Sequence, residues 1–472
     1  MFSGNVLTVH LDQGRLEESF LSEDLVSDRV GGALLGLEFY KRNAEGDPIV
    51  ISAGPLTGGL VPTASSVTIT ARSPLTGGVV HCSVTNHAGA EVKFAGYDVI
   101  VLRGRSPRPV YLWVHDEQAE LVDAADLWGE GSTKITDTIR NRQGDERVQV
   151  VAAGPACTKG SLASSLSINH WASTDRAAVG ALWGSKNLLA VAARGMGELE
   201  PAEIDGFGPA VLRMMACMKG YRPPEGFKWD GGHLDGARGS IAPLVHRYRG
   251  CYFCASRGRA YLMLDEEPGR MEPTEVHDPG VLIVDMLPLG DLHAAGLDGK
   301  GIGEVTRATY QRGLDPVRAA RAIRMAGAAD PASATRVLDD LVEGRGAPSP
   351  GETMMAWNLG DGTGCHEAFA RLAVFTTANP PLVPADCVDE LEHLLVLQAL
   401  AYILGLCPAG SVGAGIDAPC IEEVVRVSTG QGLSASELEG LARRLVRETL
   451  ALQPSPGTEG GPIADELRGR FA

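Results

Sequence analysis

Asp98-Val99-Ile100-Val101-Leu102-Arg103-Gly104 reads as a short β-strand, four β-forming residues standing together beside turn-forming ones. Working outward, the same texture recurs at Asn5–Leu11, Asp47–Gly54, Ser66–Arg72, Pro109–His115, Val148–Gly154 and Asn187–Ala193. Each run is short and rich in Val and Ile, and turn residues bound most of them. Helices are expected among these strands at Leu25–Lys41 and Ser132–Arg142. Pro55-Leu56-Thr57-Gly58-Gly59 and Pro74-Leu75-Thr76-Gly77-Gly78 flank one strand as two similar turns.

Beyond about Glu198 the apolar period becomes helical. Ile302–Arg312 reads as a helix with Gly313 just past its end. Pro316–Ala326 and Pro331–Glu343 each open on proline, which suits a first helical turn. Ala385–Leu404 is a long apolar helix closed by Gly405 and Pro408. Ser434-x-x-Glu437 is a capping box, and it starts a helix with Leu438, Leu441, Leu445 and Leu452 along one face. The fold class is therefore α+β. A β-rich domain is expected over 1–200, a helical domain over 201–345, a second helical domain over 346–453, and a loose tail over 454–472. Pro223–Gly239 is expected to be a turn-rich connector.

Composition narrows the function classes. The formal net charge of −17 argues against nucleic acid and against an anionic membrane surface. The N-terminus has no basic segment followed by a continuous apolar one, and no apolar run approaches the roughly 18 residues of a spanning helix. A soluble, cytoplasmic protein is expected. Its nine cysteines are irregularly spaced, which in that compartment points to reduced thiols or metal ligands. Its 59 glycines are spread along the chain, as tight turns and close backbone approaches require.

The sharpest local signal is Cys251-Tyr252-Phe253-Cys254. Two thiolates three residues apart can grip one metal or two irons of one cluster. A pair of ordinary buried cysteines and a redox-active dithiol are the alternatives. A further cysteine stands in Leu404-Gly405-Leu406-Cys407-Pro408, where a long helix ends at a glycine. Such an end exposes backbone groups and leaves room for a cofactor, although it also suits a cysteine buried in a cap. Ala295-Gly296-Leu297-Asp298 is a similar phrase, and Asp298 is able to accept hydrogen bonds from a polar heterocycle.

Four longer phrases carry a family resemblance. They are Ala53-Gly54-Pro55-Leu56-Thr57-Gly58, Ser73-Pro74-Leu75-Thr76-Gly77, Gly89-Ala90-Glu91-Val92-Lys93-Phe94-Ala95-Gly96-Tyr97-Asp98, and Val179-Gly180-Ala181-Leu182-Trp183-Gly184-Ser185-Lys186-Asn187-Leu188. In this order the chain resembles the aldehyde ferredoxin oxidoreductase family, over residues 1–195 and in patches beyond. The resemblance implies an N-terminal β-sheet domain covering a tungsten or molybdenum bis-pterin, beside a 4Fe-4S iron–sulfur cluster. It implies helical domains that close over the metal. The implied reaction oxidises an aldehyde, with water, to a carboxylic acid and sends two electrons through the cluster to ferredoxin.

Carried over residue by residue, the resemblance makes Cys251, Cys254 and Cys407 cluster ligands. The third position of the family's cysteine motif is Gly258, so the cluster is incomplete or takes its fourth ligand from water, Ser256 or a partner. Gly296, Leu297 and Asp298, with Gly405 and Leu406, fall in the pterin phrases, but His293 and Tyr402 stand where the family has carboxylates. Arg176 is placed to meet a pterin phosphate, while Ser66 replaces another arginine. His366 and Glu275 are the implied catalytic acid–base residues. Sequence is also missing between Arg345 and Glu390 relative to the family. These departures keep a second function open: a non-catalytic paralogue, acting as a partner or scaffold subunit in a homo- or hetero-oligomer with a longer homologue.

Overall fold

The computed structural model describes residues 1–173, 175–220, 234–254, 259–265, 280–348, 388–454 and 462–472. Strands β1 (Asn5–His10), β2 (Arg15–Phe20), β3 (Ile49–Ala53), β4 (Val67–Arg72), β5 (Val79–Val84) and β6 (Val99–Arg103) form one sheet in the order β2-β1-β6-β3-β4-β5. Strands β7 (Val110–His115), β8 (Gln118–Asp123), β9 (Gln149–Ala152), β10 (Ser167–Ile168), β11 (Trp171–Ala172) and β12 (Leu188–Arg194) form a second, in the order β11-β10-β9-β12-β7-β8.

The quoted strand, β6, lies between β1, to which it is parallel, and β3, to which it is antiparallel. Its apolar residues divide by the period of two. Ile100 and Leu102 pack with Val110, Leu112, Val151 and Val191 of the second sheet. Val99 and Val101 pack with Leu34, Leu37 and Tyr40 of the helix Gly32–Arg42 and with the helix Val388–Leu404. A strand covered on both faces reads as an unbroken apolar run. The outer face of the second sheet is closed by Ile135 and Ile139 of the helix Ser132–Gln143. N-terminal sheet and C-terminal helices therefore share one core.

The expected helix Leu25–Lys41 is two helices, Glu23–Arg29 and Gly32–Arg42. The break has a packing cause. A Cβ on Gly32 would run into the carbonyls of Tyr402 and Ile403, and one on Gly31 would meet the Pro55 ring at 2.6 Å. Residues 201–345 hold more than helices. Strands β13 (Val245–Arg249), β14 (Arg259–Met263) and β15 (Gly280–Ile283) form an antiparallel sheet packed on the helices between Leu287 and Val342. Among the described residues no helix is long and apolar enough to cross a membrane.

β5 is an edge strand, yet it is covered. Gln453 Nε2 donates to Val79 O (2.6 Å), and His81 reaches Thr449 of the helix Ala435–Leu450. The Thr449 hydroxyl already donates to Leu445 O, so His81 Nε2 donates to Thr449 Oγ1 (2.9 Å) and Nδ1 accepts from Thr70 Oγ1 (2.9 Å). Burial pushes the His81 imidazole down to about 3 from 6.5. Between those values the unfolded chain binds a proton that the native chain refuses. Native stability from this site is thus full above about pH 6.5 and falls by roughly 1.4 kcal/mol per pH unit below it. Buried Asp175, raised by desolvation to about 6, acts in the opposite sense over much of this range. Comparison with His81→Gln cancels that contribution. Urea titrations are expected to show the wild type's advantage over His81→Gln shrinking by roughly 3 kcal/mol between pH 6.5 and 4.5.

Candidate functional site

The helix Val388–Leu404 ends on Gly405, whose φ of +81° lets the chain reverse. Gly405 N and Leu406 N both donate to Ala401 O, at 3.0 and 2.9 Å, closing the helix as a glycine C-cap does. Gly405 is also pressed against Gly54 and Thr57, where an added Cβ would clash with Thr57 Oγ1. Cys407 follows as the N-cap residue of the short helix Pro408–Gly413, and its own N–H donates to Thr63 O (2.7 Å). The Cys407 side chain is buried. Burial, reinforced by the Cys251 and Cys254 thiols and opposed by the Arg259 guanidinium, pushes its thiol up to about 12.

Cys251 and Cys254 sit in the loop after β13, half-buried. Tyr252 ties that loop to the first sheet. Its N–H donates to Asn86 O (3.2 Å), its hydroxyl donates to Gly58 O (3.0 Å), and its ring meets the edges of His87 and Phe94 at 5.9 and 5.8 Å. Phe253, at φ +43°, turns its carbonyl to accept from Thr63 N (3.3 Å). Thr63, itself at φ +67°, thus holds the cysteine pair with its N–H and Cys407 with its carbonyl. The structure brings the adjacent pair and the remote cysteine to the two sides of one residue.

Polar groups collect there. Cys251 Sγ lies 3.7 Å from Asn86 Oδ1. Arg259 donates to Asn86 Oδ1 and to Thr85 Oγ1, the latter at 3.0 Å. Thr63 Oγ1, Ser65 Oγ and Asn86 Nδ2 are buried without a hydrogen-bond partner. Unsatisfied buried groups are uncommon, and Asn86 Nδ2, on the side chain beside Cys251 Sγ, leaves a donor that fits a polar group bound there. Among the described residues no three His, Cys, Asp or Glu side chains stand close enough to hold one metal ion. A cluster places each thiolate on a different iron, so its ligands stand further apart than those of a single ion. Gly258 and Ser256 lie outside the described residues.

The other candidates are placed differently. Gly296, at φ +104°, ends the helix Leu287–Ala294, with Leu297 N donating to Leu292 O (3.3 Å). Asp298 is then the N-cap of Gly299–Gln311 and accepts from Gly301 N (2.8 Å). The two Gly-Leu phrases are thus the same device, a glycine stop followed by a new helix. Leu297 and Leu406 are both buried in apolar cores. Arg176 forms an ion pair with Asp285, and its charge is felt by buried Asp315. Exposed His293 faces Ser240, and buried Tyr402 packs beside His81. At these positions the arginine is thus held by a carboxylate, and His293 and Tyr402 carry none. His366 and Glu275 lie outside the described residues. Sequence reading missed Thr63, Asn86 and Arg259. Thr63 works through its backbone, so the only signal was its place in the Pro62-Thr63 turn.

Comparison with known proteins covers the same parts. Residues 6–195 match the family described as aldehyde ferredoxin oxidoreductase, N-terminal domain. The chain is 33% identical over 224 residues to the tungsten-containing aldehyde ferredoxin oxidoreductase of Pyrococcus abyssi, covering 46% of this chain and 37% of that protein. It is 35% identical over 202 residues to the protein of that description from Pyrococcus furiosus, covering 41% and 33%. A third relative, the aliphatic sulfonate oxidoreductase, WOR-like subunit, of Pyrococcus furiosus, is 33% identical over 223 residues, covering 42% and 35%. The matches thus span little more than a third of these relatives' lengths. In three dimensions the chain is similar to a chain of the active site complex BamBC of benzoyl coenzyme A reductase. The TM-score is 0.76 at 17% identity, covering 100% of this chain and 94% of that one, which shows a shared fold.

Proposed function

The chain belongs to the aldehyde ferredoxin oxidoreductase family, with that family's N-terminal domain over residues 6–195, and on that premise we propose that it is a redox protein of aldehyde oxidation whose electrons pass through an iron–sulfur cluster held by Cys251, Cys254 and Cys407. The observation that carries this reading is the meeting of the Phe253 carbonyl and the Cys407 N–H on Thr63. When bound, a cluster there takes up and passes on single electrons. The protein's own part is to hold three sulfurs, exclude water and balance charge. Burial of Cys407 and Thr63 does the excluding, and Arg259 sets a positive charge beside thiolates.

Oxidation of an aldehyde to a carboxylic acid takes its oxygen from water and releases two electrons and two protons. The electrons need an acceptor. Arg247 and Arg249 stand exposed on β13, immediately before Cys251, in a chain of net charge −17. A basic strip at that point suits an acidic carrier protein such as ferredoxin. Tungsten stands in the names of two of the relatives, and in this chain Arg176 of the pterin phrases is paired to Asp285.

A second reading rests on Arg176, His293 and Tyr402. With the arginine paired to Asp285 and no carboxylate at the other two positions, the chain is a non-catalytic electron-transfer or scaffold subunit of a hetero-oligomer with a longer homologue. An anaerobic dye assay separates the two. Aldehyde-dependent reduction of a viologen by the purified chain supports the first. Reduction only after a longer homologue is added supports the second. No reduction in either case overturns the redox reading.

A further inference from the structure

A second pair of thiols meets far from Cys251, Cys254 and Cys407 in the sequence. The helix Ile204–Gly220 packs along the helix Ala418–Thr429, and the Arg213 guanidinium clasps the Glu423 carboxylate, with Nε–Oε2 at 2.7 Å. Buried Met214 joins Ile421 and Val424 in the same core. These contacts fix the register of the two helices. Cys420 Sγ lies 3.9 Å from Met214 O. Cys217 follows Met214 by three residues, so it stands on the same helix face. The Cys217 and Cys420 thiols, both free, stand within hydrogen-bonding reach of each other. Cys217 is exposed and Cys420 is half-buried. Neither thiol has any part in the redox function proposed above.

The other described cysteines outside the candidate site are engaged differently. Cys157 is buried and its thiol donates to Ser165 O (3.4 Å), while Cys82 is buried facing Asp175. Cys217 and Cys420 alone, among the described residues outside the candidate site, combine proximity with access for a reagent. An exposed thiol backed by a second one less exposed is the arrangement that thiol–disulfide exchange uses.

We propose that Cys217 and Cys420 form a reversible dithiol–disulfide site, oxidised by small disulfides of the glutathione class. The Cys217 thiolate attacks one sulfur of the small disulfide, which breaks its S–S bond and releases one small thiol. The Cys420 thiolate then attacks the Cys217 sulfur and releases the second. Two protein thiols are oxidised by two electrons, one small disulfide is reduced to two thiols, and the two protons pass to those thiols. The product staples the helix that follows the N-terminal domain to the C-terminal helical layer.

The test uses the full chain exposed to oxidised glutathione, quenched with a thiol-alkylating reagent and mapped without reduction. The expected product is a cross-linked peptide joining residues 217 and 420, in a protein two hydrogens lighter than the reduced form. Dithiothreitol should restore the starting mass. Cys420→Ser should instead retain glutathione on Cys217, and Cys217→Ser should give neither cross-link nor adduct at residue 420. One phenylarsine oxide should bind this pair in the wild type and fail to bind it in either variant, provided the variants melt within a few degrees of the wild type. Glutathione left on Cys217 of the wild type with no cross-link, or a cross-link to any other cysteine, overturns the proposal. Iron content does not enter the readout, so failure of the cluster reading leaves this result intact.

Discussion

Cys407→Ser, purified without oxygen, is expected to retain less than about a tenth of the iron and sulfide of the wild type, with a parallel loss of viologen reduction. In the proposed cluster the remote cysteine closes the donor set over the pair. A serine oxygen stays protonated at neutral pH, so it does not replace a thiolate. Its backbone stays in place, because the bond from residue 407 N–H to Thr63 O does not depend on the side chain. The hydroxyl is also no larger than the thiol, and it sits in an N-cap position where serine is favoured. A folded protein without iron is therefore the expected product. Cys420→Ser is the control and should keep its iron.

The largest expected effect on stability lies at Lys93. Its ammonium and the Asp98 carboxylate form an ion pair in which both side chains are fully buried. Asp98 also accepts from Gly4 N (2.7 Å) and Ser3 Oγ (3.0 Å), and the ammonium lies 5.4 Å from the Phe2 ring. The pair thus ties the first residues of the chain to the start of β6. Lys93→Met would leave the carboxylate buried with neutral donors only. Removing one partner of a buried pair costs about 3–5 kcal/mol, since the remaining charge is uncompensated. Urea unfolding should show a loss of that size at pH 7. Lys93→Met combined with Asp98→Leu should recover part of it, because no lone charge remains. A loss under about 1 kcal/mol in the single variant would mean that the carboxylate reaches water.

Both results bear on what could be read from residues alone. All seven strands expected from Val- and Ile-rich runs are present, because each is covered on at least one face by an apolar neighbour. β2, Arg-Leu-Glu-Glu-Ser-Phe, escaped because it is an exposed edge strand carrying charge. β5 escaped for the opposite reason: His81, Cys82 and Ser83 look polar, yet all three are buried, His81 against the helix Ala435–Leu450 and Cys82 facing Asp175. β13 reads Val-His-Arg-Tyr-Arg, another charged edge. The break before Gly32 was hidden because its cause, the end of the helix Val388–Leu404, lies far along the chain.

At the candidate site, the cysteines were legible by type and spacing. Cys407 was grouped with the pair only through the family resemblance, and the residue that joins them was not legible, because Thr63 acts through its backbone and any residue tolerating its turn would make the same two hydrogen bonds. Arg176 was legible as a charge, but its partner Asp285 lies 109 residues further along the chain. The likeness of the two Gly-Leu phrases was visible, and the structure supplies its cause: each is a glycine helix stop followed by an N-cap, Asp298 in one and Cys407 in the other.

The most direct test is elemental. The chain should be purified anaerobically and assayed for iron, acid-labile sulfide, tungsten and molybdenum per polypeptide. A cluster held by Cys251, Cys254 and Cys407, as proposed, predicts iron and sulfide in near-equal amounts, at several atoms per chain, lost on replacing Cys407. A chain that emerges with neither iron nor sulfide contradicts the account.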